Sequence, residues 1–199
     1  MLSILAALAI SCPVPARQTG LTWNPNANKI LVEMYGDPLC PVCLNAWMNG
    51  VSKMIQKYQN DVKFVLHFLP LPYHTWAFVV TRTILAVKQL SEPKAQILVN
   101  ALYTGGQGQF ENDPSFTENT VTDNCIKYAA KICQLSEDDI RNAFATIDIN
   151  LGARVEFKYS TSHGVDGTPY FFVNGVVTND VDAGSSIDDW SLYLDNLLN

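Results

Sequence analysis

Two short segments, far apart in the chain, constrain this sequence more than anything else in it. The first is Cys40-Pro41-Val42-Cys43, which directly follows the apolar run Lys29-Ile30-Leu31-Val32-Glu33-Met34-Tyr35. Residues 29–35 alternate loosely and are rich in β-formers, which predicts a buried strand. Pro41 suits the first turn of a helix, where its missing N–H costs nothing. A strand running into a CxxC that opens a helix is the setting in which two cysteines form a redox couple and not half of a metal site. The second segment, Gly167-Thr168-Pro169-Tyr170-Phe171-Phe172-Val173-Asn174-Gly175, places a proline at the head of an apolar strand.

Between and around these segments the pattern alternates strand and helix. The helix opened at Pro41 continues through Trp47, Met48, Val51, Met54 and Ile55, an apolar face at helical spacing, and ends near Gln59-Asn60. Residues 61–69 form a second strand, stopped by Pro70 and Pro72. This is β–α–β, with a right-handed crossover expected. From Tyr73 to Lys158 the periodicity is helical: Trp76, Val79, Val80, Ile84 and Val87 make one stripe, and Ile97, Leu98, Leu102 and Tyr103 another. Ser136-Glu137-Asp138-Asp139 is a helix-capping signal, and residues 155–162 read as the last helical stretch. Residues 170–173 and 176–178, joined by Asn174-Gly175, predict a hairpin with a tight primed turn. Residues 187–198 form a terminal helix. The chain is therefore α/β. Residues 17–72 and 159–199 build one sheet-centred unit around a helical insertion at 73–158.

Composition supports one substantial core: 199 residues, 48% hydrophobic and 16% charged. A net charge of −6 without any basic run excludes a nucleic-acid partner, because a phosphate-binding face needs clustered Lys and Arg. Residues 1–10 read as the apolar core of a secretory signal, with Val14 and Ala16 suiting cleavage after Ala16, so residues 1–16 are expected to be a signal peptide. The alternative is a membrane-anchoring or simply buried N-terminal helix. No other stretch is long and apolar enough to span a bilayer, so no membrane association is expected after cleavage. Cleavage would remove Cys12 and leave Cys40, Cys43, Cys125 and Cys133, an even number that suits an oxidising compartment. The expected location is the secretory pathway or outside the cell: an endoplasmic reticulum lumen, the extracellular space or a periplasm-like compartment.

In this order of elements, the segments "ILVEMYGDPLCPVC" and "GVDGTPYFFVNG", with the helical stretch between them, resemble DsbA-like proteins of the thioredoxin superfamily. The stretch Phe68-Leu69-Pro70-Leu71-Pro72-Tyr73-His74-Thr75-Trp76-Ala77-Phe78 is also similar to a eukaryotic subgroup with a Pro-Tyr-His run after the second strand. The resemblance spans nearly all of residues 20–199. It implies a thioredoxin-like fold, a central mixed sheet with an inserted helical domain, in which a cis-proline loop at Thr168-Pro169 lies against the CxxC. It also implies a thiol-disulfide oxidoreductase that needs no cofactor. Its partners would be polypeptide thiols and disulfides, and a redox partner whose identity the residues do not specify.

The chemistry expected of the residues follows from thiolate reactivity. A free thiol with pKa near ~8.5 is only a few per cent ionised at neutral pH. Cys40, exposed at a helix N-terminus, would meet unpaired N–H groups and the positive end of the dipole, and is the expected nucleophile. Cys43, one turn in and less exposed, is the expected resolving cysteine. A static disulfide or a pair of zinc ligands is the alternative, but no metal site is expected. Pro41, Val42, Thr168, Pro169 and His74 are the candidate substrate-binding residues, Thr168 by offering its backbone to an extended client. His74 is otherwise a packed or capping residue.

In the family pattern an acidic strand residue lies six positions before the first cysteine. Here Glu33 lies seven before Cys40, as though Gly36 were an extra, bulged residue. Glu33 is the candidate proton acceptor for Cys43, with a partly exposed strand carboxylate as the alternative. Asp37, if ionised close by, would raise the Cys40 pKa. Pro41-Val42 also lacks the histidine of strongly oxidising members. An intermediate potential is therefore expected: at pH 7 a thiol pKa of ~6 contributes roughly 1.4 kcal/mol, or about 30 mV.

Cys125 and Cys133 on one continuous helix would be about 12 Å apart in rise, beyond disulfide reach. A break in that helix would let them staple the insertion; two free buried thiols are the alternative. The competing function is a redox-inactive peptide-binding or chaperone-like module on the same fold. A glutathione-using enzyme would need a pocket for which the sequence carries no signature.

Overall fold

The computed structural model describes residues 19–110, 113 and 115–199. The expected signal segment, residues 1–16, lies outside the described residues. The strands are β1 (Leu21–Trp23), β2 (Ile30–Gly36), β3 (Val62–Phe68), β4 (Tyr170–Val173) and β5 (Val176–Val177), in the order β1-β3-β2-β4-β5. β2 and β3 are parallel, while β1, β4 and β5 join antiparallel, so the sheet is mixed. Central β2 alternates its faces. Val32 and Met34 point into the main core, while Glu33 and Tyr35 point to the other side of the sheet.

The crossover between β2 and β3 is one helical rod in three pieces: α1 (Pro41–Ala46), a π-helical turn at Trp47–Val51, and α2 (Ser52–Lys57). Gly50 sits in the π turn for a steric reason. A Cβ there would come within 2.5 Å of the Ser185 carbonyl and the Trp190 ring. Its absence lets the terminal helix α8 (Ile187–Leu198) press fully buried Trp190 against the rod.

The insertion contains α3 (Ala77–Leu90), α4 (Glu92–Leu102), a 3-10 turn (Gly106–Phe110), α5 (Glu118–Cys133), α6 (Glu137–Phe144) and the start of α7 (Ile147–Ser162). The Ser136 hydroxyl accepts from the Asp139 N–H, so the capping signal works as its sequence suggests. α7 begins eight residues earlier than the helical stretch expected at 155 and runs unbroken across residues 158 and 159. Its inner face meets β3: Glu156 accepts from the Phe68 N–H, and the Ser160 hydroxyl donates to the Phe68 carbonyl. The boundary placed at 158/159 thus falls inside one helix that belongs to both parts.

Two further local readings change. β1, three residues long, went unanticipated; its outer edge is satisfied by Glu92 and Gln96 of α4, which bond the Thr22 backbone. Gly36 is not a bulge, because it pairs in regular register with Phe68 at the end of β2. The hairpin turn does take the primed form, with φ of 50° at Asn174 and 80° at Gly175. Among the described residues no helix is long and apolar enough to cross a membrane.

Candidate active site

Cys40 is the N-cap of α1, with extended backbone (φ −72°, ψ 121°) and Pro41 as the first helical residue. No side chain caps this helix, so the first-turn N–H groups of Val42 and Cys43 turn to the Cys40 sulfur. The sulfur lies 3.6 Å from the Thr168 carbonyl oxygen, and the Thr168–Pro169 peptide bond is cis. Two segments that are distant in sequence thus meet at one atom, carried there by β2 and by its antiparallel neighbour β4.

The two thiols titrate in opposite directions. The Cys40 pKa is lowered to about 6, first by a hydrogen bond from Cys43, against an opposing push from burial, and then by Thr168 and the two N–H groups. Cys43 is pushed well up, by burial first and by its neighbour Cys40 second. Cys40 is more enclosed than the exposed nucleophile expected at the helix tip: 4% of its surface is accessible, and none of that of Cys43. The cis-proline loop covers it. Pro41 and Val42 beside it are exposed, Val42 to 45%, and form an apolar lip. An open cavity of about 220 Å³ lies beside the same loop, lined by Pro169, Tyr170, Phe171, Val181 and Ala183.

Glu33 does not stand beside Cys43. Its carboxylate lies on the opposite face of β2, 3.1 Å from His67 Nε2, and 12% of its side chain is accessible. The reason is parity: strand side chains alternate, so a one-residue offset from the family position sends the carboxylate through the sheet. The position six before Cys40 is Met34, fully buried in the core that contains Cys43.

Asp37 also behaves differently from the expectation. It is completely buried, and its carboxylate faces away from Cys40: Oδ1 accepts from the Leu39 N–H at 2.7 Å and Oδ2 from the Leu71 N–H at 2.6 Å. His74 Nδ1 lies 3.1 Å from the same Oδ2, off the hydrogen-bonding direction. Burial raises the Asp37 pKa, while the Leu71 and Leu39 N–H groups and His74 oppose the rise. Asp37 is therefore a clamp between the cysteine loop and residues 69–74, and His74 is turned to that clamp, with 21% of its side chain accessible. It is the main chain of Asp37 that faces the thiols. Its carbonyl accepts from the Cys40 N–H and from the Tyr103 hydroxyl, and its N–H points to Cys43.

In the sequence Tyr103 stands out only as part of an apolar helical stripe. It follows α4, is buried to 1%, and packs its ring 5.6 Å from Trp47. No local signal marks it, because its place beside the cysteines comes from long-range packing of α4 and Tyr103 against Trp47 of the π turn. Cys125 and Cys133 both lie on α5, which has no break, and both are free. The staple across the insertion is therefore absent, and the continuous helix is the reason. Burial pushes these thiols up to about 12 and about 11.

Comparison with curated proteins returns no match for this sequence. Among solved structures, a Pseudomonas syringae protein assigned provisionally as a protein-disulfide isomerase superposes with a TM-score of 0.74 at 21% identity, over 89% of this chain and 97% of that one. BdbD from Bacillus subtilis gives 0.72 at 13% identity, over 90% and 92%. α-DsbA1 from Wolbachia pipientis gives 0.70 at 15% identity, over 93% and 92%. A family model described as thioredoxin matches residues 19–196, nearly the whole described chain. With its mixed sheet, helical insertion and CxxC at the head of α1, the chain belongs to the thioredoxin family, in the DsbA-like form of that fold.

Proposed function

We propose that the protein is a thiol-disulfide oxidoreductase that exchanges disulfides with polypeptide clients through Cys40 and Cys43. The observation that carries this reading is the split between the two thiols: Cys40 is lowered to about 6 while Cys43 is raised. At pH 7 a thiol of pKa about 6 is roughly 90% thiolate, so Cys40 is both the better nucleophile and the better leaving group.

In the oxidising direction a client thiolate attacks Cys40 Sγ of the Cys40–Cys43 disulfide. The Cys40–Cys43 bond breaks, and Cys43 leaves as a thiolate that then takes a proton. A second client thiolate attacks the client sulfur of the mixed disulfide and expels Cys40 as a thiolate. The client gains a disulfide, and two electrons remain on Cys40 and Cys43. Thr168, with its carbonyl at Cys40, would align an extended client beside the sulfur, and Val42 would give it an apolar contact. A redox partner must then remove the two electrons, and an oxidising, exported location suits that cycle.

A Cys40→Ser variant tests the reading. Exchange with a dithiol peptide should fall by at least about a thousandfold, since the hydroxyl is no substitute for a thiolate. If turnover survives, the site lies elsewhere. If wild-type protein binds peptides, as the variant also does, but never exchanges disulfides, the redox-inactive module is correct. A measured potential near the thioredoxin value of about −270 mV would replace the oxidase direction with a reductase.

A further inference from the structure

Every cycle at this site passes through a Cys43 thiolate, which is a charge created in a fully closed position. An unpaired buried charge is costly unless hydrogen-bond donors meet it. The strand residue facing that region is Met34, which has no proton to give or take, and Glu33 is on the far side of the sheet. The donors turned to Cys43 are the Asp37 N–H, the Thr168 hydroxyl and, from the helical insertion, the Tyr103 hydroxyl.

We propose that Tyr103, contributed by the helical insertion, is a hydrogen-bonding residue for the resolving sulfur, its O–H swinging from the Asp37 carbonyl to Cys43 when that sulfur ionises. This rests on the oxidoreductase reading above. The hydroxyl sits 3.0 Å from the Asp37 carbonyl oxygen. That carbonyl also accepts the Cys40 N–H, so it is not orphaned when the phenol turns away. Gly36 makes the room: a Cβ there would lie 3.0 Å from the phenol oxygen. Burial raises the Tyr103 pKa, so the phenol stays protonated and acts as a donor, not as a base. In the attack on a mixed disulfide Cys43 first gives its proton to water, and the client sulfur then leaves as a thiolate, so the phenol takes up no proton.

The test is single-turnover reaction of the reduced protein with the dithionitrobenzoate reagent, whose yellow thiolate is released twice. The first release reports Cys40 attack on the reagent, and the second reports Cys43 attack on the mixed disulfide. Tyr103→Phe keeps the ring packing and removes only the hydroxyl. It should leave the first rate within about twofold and slow the second at least about tenfold, as expected for one hydrogen bond to a charged group. Gly36→Ala crowds the phenol without altering it, and should slow the second release in the same way. An unchanged second rate in Tyr103→Phe, or a proportional loss of both rates, overturns the assignment. Wild-type protein that gives no second release overturns the oxidoreductase reading itself, and this assignment with it.

Discussion

Cys40 and Cys133 are equally closed to solvent, 4% and 3% accessible, yet their thiols move in opposite directions, to about 6 and about 11. Burial raises both thiols, so it is not what separates them. Cys40 stands at the N-terminal end of α1, where unbonded N–H groups and a neighbouring thiol point at the sulfur. Cys133 is the last residue of α5, at the opposite pole of a helix, and its thiol donates to the Lys94 carbonyl at 3.3 Å. Both sulfurs face a carbonyl, that of Thr168 for Cys40 and of Lys94 for Cys133; donors meet the first, while burial raises the second. Only the first is stabilised as an anion.

Several measurements can break or sharpen this contrast. The largest effect concerns alkylation at pH 7 under native conditions, followed site by site by mass spectrometry. Thiolate fractions for pKa values of about 6 and about 11 differ by roughly four orders of magnitude. The lower intrinsic nucleophilicity of the more acidic thiol recovers about two of those orders. Cys40 should therefore react roughly fifty- to two-hundredfold faster than Cys133 or Cys125. Comparable rates would mean that the environment of α1 does not favour the anion.

A smaller effect is expected from Cys125→Ala, which removes a packed sulfur from the insertion. It should lower stability by about 1 kcal/mol in denaturant unfolding while leaving both reagent-release rates unchanged. A change in those rates would tie the second cysteine pair to the chemistry. The smallest is a shift in titration. Because the Cys43 hydrogen bond is the foremost cause of the lowered Cys40 pKa, Cys43→Ala should move the midpoint of Cys40 alkylation upward from about 6, toward the ordinary thiol value. The sign in the wild type follows from the depressed folded value. The thiolate's stabilisation of the reduced fold is fully present above the unfolded pKa of about 8.5 and is lost as pH falls through about 6.

Much of the architecture was legible in the residues, and the reasons are local. The apolar run at 29–35 followed by Pro41 could only be a strand entering a helix, and Asn174-Gly175 could only be a tight hairpin turn. The terminal helix was equally clear from its period. β1 was missed because three residues carry too little alternation to register. The start of α7 was misread because its apolar residues fall on both faces, so no single stripe announces residues 147–154. Glu33 lies on the other side of the sheet through one residue of parity, because Gly36 pairs regularly with Phe68 and does not bulge. The same sequence does contain the correction, since Met34 is the residue in phase with Val32.

The amino-acid order alone decided which sulfur would start a helix and that a proline-headed strand would have to find it, because both follow from φ/ψ preferences within a few residues. What surrounds the second sulfur was settled only when the chain packed. Tyr103 and the Asp37 main chain reach Cys43 from elements that have no sequence relation to each other. Long-range packing of α4 and Tyr103 against Trp47 of the π turn puts a phenol where a carboxylate was expected, and no propensity or spacing rule encodes that contact.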